Sequence, residues 1–518
     1  MRISMKKRIF LLTLILITIA SLAYRAYGLS SNSPFWVDEF NSGTQAKLIQ
    51  EHGASLITDA DLRKSAALEF QNIPTHVIIA LFFQIFDDSE VVARLPFAII
   101  GGLLPLVMFF WVKRYSDELT AIIASLITAF LHIQILWSVQ ARGYVLLQMC
   151  VLLSFYFYRC VKQEKVNIKR NAYLFGLLGI AACGVLSHIT YVFVLVAIGA
   201  DLIFYHQNRK RALLQVGFFA GIILLMASYT GMLSGIQTYI STNYSDTNNV
   251  WYYHSFLWRE YTLLAFLGIY GILLLALKKK SILIPEGIFM LFYSIFILFI
   301  YGHHMTKYLL PIIPFLIAGM SISLAELAKS LNKYTSVKWE LLAFVITLLI
   351  IGNGNIFVTK PKQYYSLNTH FREISNIDYH SVYEKILPLK DANPAVIETW
   401  PGRMYWYLGN EFQNAYMLRW ENEEGFANGH IKKTQFYLEK GEKRISKQIG
   451  FVGTKEDLEK IIKKNKVGFL FIDDSSLPQD VIQYAEKNLK KELYLDHYTL
   501  DDNPYSIWPA TLYSWGVQ

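Results

Sequence analysis

Two adjacent acids, Asp38 and Glu39, follow the aromatic pair Phe35-Trp36 just beyond the first apolar stretch of the chain. A carboxylate there can serve as general base toward an incoming hydroxyl, or bind an acceptor amine or a divalent metal. The plainer reading is a solvated acidic loop. Arg142 interrupts two apolar stretches within Ser138-Val139-Gln140-Ala141-Arg142-Gly143-Tyr144. Its planar fork can make two hydrogen bonds to a phosphate, and the competing reading is an interfacial Arg that snorkels. The same two readings apply to Arg94 and Lys307. Lys307 is the more suggestive, because Tyr308 and the Pro311-Ile312-Ile313-Pro314 break follow it. His188 stands at a junction of apolar stretches, by default a hydrogen-bonded interfacial histidine and otherwise a substrate contact. His303 and His304 are adjacent and would diverge on a helix, which makes a poor metal pair. Asp87-Asp88 reads first as the turn that ends a helix.

Such groups need a scaffold that presents them. Of 518 residues, 53% are hydrophobic, 15% aromatic and only 17% charged, which is too apolar for an ordinary soluble chain. Uncharged stretches of roughly 17 to 25 residues recur, long enough to cross a bilayer. The expected fold class is therefore a polytopic α-helical membrane protein. The net charge of +9 comes from Lys and Arg gathered between those stretches. Clusters of that kind hold loops in the cytoplasm and imply no nucleic-acid partner. Cys150, Cys160 and Cys183 lie in apolar segments and suggest neither a disulfide framework nor a thiolate metal site. Met5-Lys6-Lys7-Arg8 and the apolar run after it also resemble a secretory signal, with Ser21-Leu22-Ala23 as a cleavage site. A retained helix is expected, since it anchors acids that serve an active site built from later spans.

Placing every basic cluster on one side gives about eleven spans, amino terminus inside and carboxyl terminus outside. Span 1 covers 9–29. The stretch 74–86 is short for a span and is laid on the outer surface as an amphipathic helix. Spans 2 and 3 cover 95–112 and 119–137, and the Arg142 turn follows outside. Spans 5 and 6 join outside at Ser187-His188. Span 7 leads to an outer loop, 234–256, and span 9 exits near Tyr301, exposing Gly302 to Lys307. Spans 10 and 11 cover 309–324 and 339–358. From Lys360 the composition turns soluble. Residues 395–399 and 467–472 read as buried strands, Thr454-Lys455-Glu456-Asp457 opens a helix with a capping-box pattern, 480–489 suggests a second helix, and 493–495 a further strand. Two domains are expected: a transmembrane domain, 1–359, whose external loop 30–94 carries the acids, and a small extracytoplasmic α/β domain, 360–518. No internal repeat, P-loop, dinucleotide signature, metalloprotease motif or hydrolase elbow occurs.

Several pieces then recur together: Trp36-Val37-Asp38-Glu39, Ile73-Pro74-Thr75-His76, Asp88-Ser89-Glu90-Val91-Val92-Ala93-Arg94-Leu95-Pro96, Gln140-Ala141-Arg142-Gly143-Tyr144, His188, and Lys307-Tyr308-Leu309-Leu310-Pro311-Ile312-Ile313-Pro314. In this order, over residues 9–325, the chain resembles the GT-C membrane glycosyltransferases, in particular the bacterial and archaeal relatives of dolichyl-phosphate-mannose protein mannosyltransferases and aminoarabinose transferases. It departs from the usual pattern at Asp87, Ile73 and Gly143. The resemblance implies Asp38 as catalytic base, with Glu39 orienting it or binding the acceptor. It further implies Arg94, Arg142 and Lys307 as candidate contacts to the phosphate of a polyprenyl-phosphate sugar, with Tyr144, Tyr308 and His188 lining the pocket. The activity implied is inverting transfer of a hexosyl or pentosyl group to a hydroxyl or amine of a protein, lipid or polysaccharide, at the outer face of the cytoplasmic membrane. The phosphate leaving group calls for electrostatic support rather than an acid. No nucleotide is required on that side, no cofactor is assigned, and a divalent metal at the acids stays an open alternative. A flippase of lipid-linked sugars is the rival from another class; it would place charge near midmembrane and show repeated halves.

Overall fold

The computed structural model describes residues 5–29, 34–53, 72–205, 248–278, 284–301, 305–334, 337–352, 377–409, 414–420, 450–473, 477–495 and 510–517, with isolated positions 217, 221 and 412. The cluster Arg209-Lys210-Arg211, nearly all of the span expected after it, and His303-His304 lie outside these. The chain forms two compact units. One holds 1–30, 70–75 and 94–361; the other holds 31–69, 76–93 and 362–518. The acid-bearing segment thus clusters with 76–93 and the C-terminal residues, not with the first helix.

The first unit is helical. Among the described residues, five helices are long and apolar enough to cross a membrane: Arg8–Tyr27, Glu90–Val112, Tyr144–Gln163, Asn167–Ser187 and Ile313–Leu331. A sixth arises if Val250–Glu260 and Thr262–Leu277, bent by 104°, form one broken span. Shorter apolar helices include Glu118–Phe130 and Trp339–Ile351. The first helix exposes Leu12, Leu16 and Ile19 while burying Leu14, Ile17 and Ser21, as a helix does when lipid solvates one side.

Two expectations are corrected. The third span is not continuous: helix Glu118–Phe130 stops at Leu131, whose ψ of 125° leaves the helical region, and a second helix, His132–Ser138, begins there. The break frees carbonyls, and Arg25 Nη1 donates to one of them, Ala129 O, at 2.9 Å. Residues 250–256, expected in a loop, lie in helix Val250–Glu260, whose preceding Asn249 donates through Nδ2 to Ile297 O (3.0 Å) and Tyr301 O (2.7 Å).

Two ion pairs join apolar helices, each offsetting the cost of burying its charges. Arg159 grips Glu286 through Nε to Oε1 (2.7 Å) and Nη2 to Oε2 (2.6 Å). Lys162 Nζ meets Asp201 at 2.7 Å. Elsewhere the backbones of Thr262–Lys278 and Ile313–Leu331 touch: a Cβ on Gly271 would fall 1.8 Å from Gly319 O. Small residues make that approach available.

The second unit contains a six-stranded sheet ordered β3-β2-β1-β4-β6-β5. Its strands are β1 Ala395–Glu398, β2 Ala415–Leu418, β3 Gly450–Val452, β4 Gly468–Ile472, β5 Lys490–Leu495 and β6 Ala510–Trp515. The first four run parallel, and β6 is antiparallel to both β4 and β5. Helix Pro401–Leu408 links β1 to the β2 side, and helix Lys455–Lys464 links β3 to β4, the crossovers that parallel strands need. β1 and β4 are buried throughout, which is why they read as unbroken apolar runs. Thr454 caps the second helix by accepting from Asp457 N, and Leu458 and Ile461 face the core with Leu470, Val481 and Ala485.

Candidate functional site

Most of the basic and aromatic candidates converge within the first unit. Arg142 Cζ lies 5.9 Å and Lys307 Nζ 5.3 Å from the centroid of the Tyr144 ring, with Lys307 also 5.6 Å from that of Tyr308. Tyr144 packs at centroid distances of 5.8 Å on Trp137, 5.7 Å on His188 and 6.1 Å on Tyr308. Lys307, expected exposed beyond span 9, is instead only 4% exposed, and Arg142 9%. The reason is the short 3-10 turn Thr306–Leu309, which buries the segment rather than extending it into solvent.

Each member is fixed by its element. Arg142 occupies the turn between helix His132–Ser138 and helix Tyr144–Gln163, and Tyr144 opens the second of these. Gly143 suits this turn because a Cβ there would lie 2.4 Å from Thr75 Oγ1 and would force Thr75 to move. The Lys307 segment is held by Tyr293, whose hydroxyl donates to Tyr308 O at 2.8 Å, by the Tyr301–Tyr308 hydroxyl pair at 2.9 Å, and by Tyr253, whose hydroxyl donates to Met305 O at 3.2 Å. His188 caps the end of helix Asn167–Ser187. Its Nδ1 accepts from Thr190 N at 3.3 Å, which leaves Nε2 as the protonated nitrogen of the neutral ring. Burial, followed by the fields of Arg142 and Lys307, pushes the His188 imidazole down to about 3. It is neutral at physiological pH.

Arg94 is buried, 1% exposed, in helix Glu90–Val112. Asp38 and Glu39 belong to the second unit. They are not in a loop as expected: they open helix Val37–His52, in its first turn, where the helix dipole favours negative charge. Trp36 is the N-cap, and its carbonyl accepts from Glu39 N (2.9 Å) and Phe40 N (3.1 Å). Glu39 is fully buried and Asp38 partly so. Asp87 does shape a turn, accepting from Ser89 N at 3.2 Å, while Asp88 pairs with Lys47 at 2.8 Å, which lowers its carboxyl below the usual range.

Two contributors escaped the sequence reading. Arg25, fully buried, donates through Nε to Ser138 Oγ at 2.8 Å and so holds the end of the helix that leads to Arg142. A cation inside an apolar span was the available signal. Glu90 accepts from Phe35 N at 3.0 Å and from Tyr407 Oη at 2.9 Å, with His380 Nε2 at 3.3 Å; its partners lie too far away in sequence to be foreseen.

A two-cation aromatic pocket at the ends of membrane-length helices, joined in one chain to a small α/β unit, defines a fold that the comparisons match. The family model described as dolichyl-phosphate-mannose-protein mannosyltransferase matches residues 74–233. The structure is similar to ArnT from Cupriavidus metallidurans bound to undecaprenyl phosphate, with TM-score 0.59 and 13% identity over 97% of this chain and 99% of that one. The apo state of the same protein gives 0.61 at 11% identity, with the same coverage. The archaeal oligosaccharyltransferase AglB from Archaeoglobus fulgidus, in complex with an inhibitory peptide and a dolichol-phosphate, gives 0.52 at 12% identity, covering 97% of this chain and 77% of that one. No curated protein matches in sequence. At these identities the likeness is one of fold: the chain resembles the GT-C membrane glycosyltransferases.

Proposed function

We propose that the protein is an inverting glycosyltransferase that moves a sugar from a polyprenyl-phosphate donor to a hydroxyl or amine acceptor at the outer face of the cytoplasmic membrane. The observation that carries this is the convergence of buried Arg142 and Lys307 on one Tyr144 ring beside a neutral His188. Arginine and lysine are the side chains that bind phosphate, the one through a planar two-donor fork and the other as a compact charge. A lipid phosphate is the anion that reaches the ends of apolar helices. The undecaprenyl phosphate and dolichol-phosphate bound by the solved ArnT and AglB support the same donor class.

In the reaction, the acceptor proton passes to the Asp38 carboxylate. The acceptor oxygen or nitrogen bonds to the anomeric carbon from the face opposite the phosphate, and the carbon–oxygen bond to phosphate breaks with its electron pair leaving on the phosphate. Arg142 and Lys307 stabilise that charge as it develops; Arg94 is the third candidate contact. Glu39 orients Asp38 or binds the acceptor, and Tyr144, Tyr308 and His188 line the sugar pocket. We assign about eleven spans, a cytoplasmic amino terminus and an extracytoplasmic α/β domain. Nothing observed favours the flippase. The test is release of polyprenyl phosphate from a labelled polyprenyl-phosphate sugar by purified full-length protein with membrane-derived acceptor. Release by the wild type and its loss in Arg142→Ala and Lys307→Ala support the reading, and sugar transport without bond cleavage contradicts it.

A further inference from the structure

The short segment before the acids is held by a residue that the reaction scheme does not use. Glu90 Oε2 accepts the Phe35 backbone N–H at 3.0 Å, three residues ahead of Asp38. Its other oxygen, Oε1, accepts from Tyr407 Oη at 2.9 Å and lies 3.3 Å from His380 Nε2. Tyr407 and His380 come from helices Pro401–Leu408 and Tyr379–Ile386 of the C-terminal part of the chain. All four residues belong to one compact unit with helix Val37–His52.

Around this carboxylate the packing leaves the acid-bearing helix little freedom. Phe35, fully buried, meets Trp406 at 4.9 Å and Phe40 at 5.7 Å between centroids. Phe40 packs on Tyr407 at 5.8 Å and on Tyr379 at 6.0 Å. A Cβ on Gly43 would lie 2.7 Å from Trp406. Lys47 sits 4.0 Å over the Trp406 ring while pairing with Asp88.

We infer that Glu90, gripped by Tyr407 and His380, is a positioning residue for Asp38, and that this is a task of the C-terminal α/β unit in the transfer reaction. The inference rests on the proposed role of Asp38. A carboxylate at Glu90 can accept three donors at once, whereas an amide must turn a donor of its own toward one of them. The Phe35 N–H that it holds precedes the N-cap Trp36, so slackening it tilts the first helical turn, where Asp38 resides. A shift of about 1 Å in a catalytic base costs up to a hundredfold in turnover without weakening binding of the other substrate.

The experiment measures kcat and donor KM of full-length wild type, Glu90→Gln, Tyr407→Phe and the double variant in detergent, with melting temperature alongside and Asp38→Asn as reference. Positioning predicts that each single variant lowers kcat roughly tenfold or more at a donor KM within about twofold of wild type. The double variant falls no further than the worse single one, because both act through one contact. Tyr407→Phe keeps the ring packing, so it reports on the hydrogen bond even if Glu90→Gln fails to fold. Wild-type kcat in Tyr407→Phe overturns the inference, as do losses that track melting temperature alone or that add in the double variant. If Asp38→Asn is inactive while these variants are normal, only the positioning role fails; turnover by Asp38→Asn removes the base assignment and this inference with it.

Discussion

Arg142 and Lys307 raise an electrostatic question that their surroundings answer in one direction. Both are buried, both approach the same tyrosine, and the histidine beside them is held neutral, partly by their charge. If they bind the donor phosphate, loss of either charge-assisted contact costs about 1.5–3 kcal/mol, or roughly ten- to a hundredfold. Lys307→Ala and Arg142→Ala are thus expected to weaken donor binding by that factor in a titration with polyprenyl phosphate, and unchanged affinity in both would dismiss the phosphate site. His188 gives a second expectation. With its imidazole pushed down to about 3, well under the ordinary 6.5, the turnover profile should show no step from this residue near neutrality, and His188→Gln should leave the shape of the profile unaltered. A step near 6.5 that vanishes in the variant would refute this. The residue types at Asp38, Arg142, His188 and Lys307 are legible in the sequence as charged or polar side chains placed where apolar stretches end. Arg25 and Glu90 were not, because a hydrogen bond spanning 113 residues, or one spanning 317, leaves no periodic trace.

At the scale of elements, what the sequence showed depended on how locally each element is determined. The helix Lys455–Lys464 announced itself through the Thr454 cap, a contact made within its own first turn. The strands β2, Ala415–Leu418, and β3, Gly450–Val452, did not: three or four residues carry no period of their own, and they are strands because β1 lies beside β2 and β2 beside β3. Helix Val37–His52 carries the weak helix formers Asn41, Ser42, Gly43 and Thr44, and its packing on Trp406 overrides them. The sheet carries its own pH signature. Arg403 is enclosed with two carboxylates, Glu398 at 3.3 Å and Asp473 at 2.8 Å. One proton makes the trio neutral, and burial pushes the Glu398 carboxyl from its usual 4.5 up to about 7. The folded state then holds a proton that the unfolded chain has released, so the contribution of Glu398 to stability is fully present below about pH 4.5 and is lost as pH climbs to about 7. The melting temperature of Glu398→Gln should lose that slope, and an unchanged slope would place its origin elsewhere. In the helical unit, Gly271→Leu should abolish the folded protein by forcing apart two touching backbones, whereas Gly287→Ala, with nothing within 4 Å of the added Cβ, should express and melt like wild type.

Taken whole, the chain combines a helical unit that carries the cationic pocket with an α/β unit that includes the acids themselves. The grouping of 31–69 and 76–93 with 362–518 makes the C-terminal region a partner of the acid-bearing helix rather than an appendage. The proposed orientation has a direct check. An alkaline phosphatase fused after residue 360 should be active and one fused after Lys333 inactive, with the reverse pattern inverting the topology. The topology came from charge bookkeeping between apolar stretches, which needs no tertiary knowledge. The broken span at Leu131 is met by a contact from another helix, Arg25 to Ala129 O, and hydropathy does not record that. The central claim is that Asp38 is the base of a transfer from a lipid phosphate. Its most direct test is the release of polyprenyl phosphate from a labelled polyprenyl-phosphate sugar by wild type and by Asp38→Asn, each supplied with acceptor. The expected result is steady release by the wild type and a loss of at least about a hundredfold in the variant at unchanged donor affinity; turnover by Asp38→Asn equal to wild type would contradict the account.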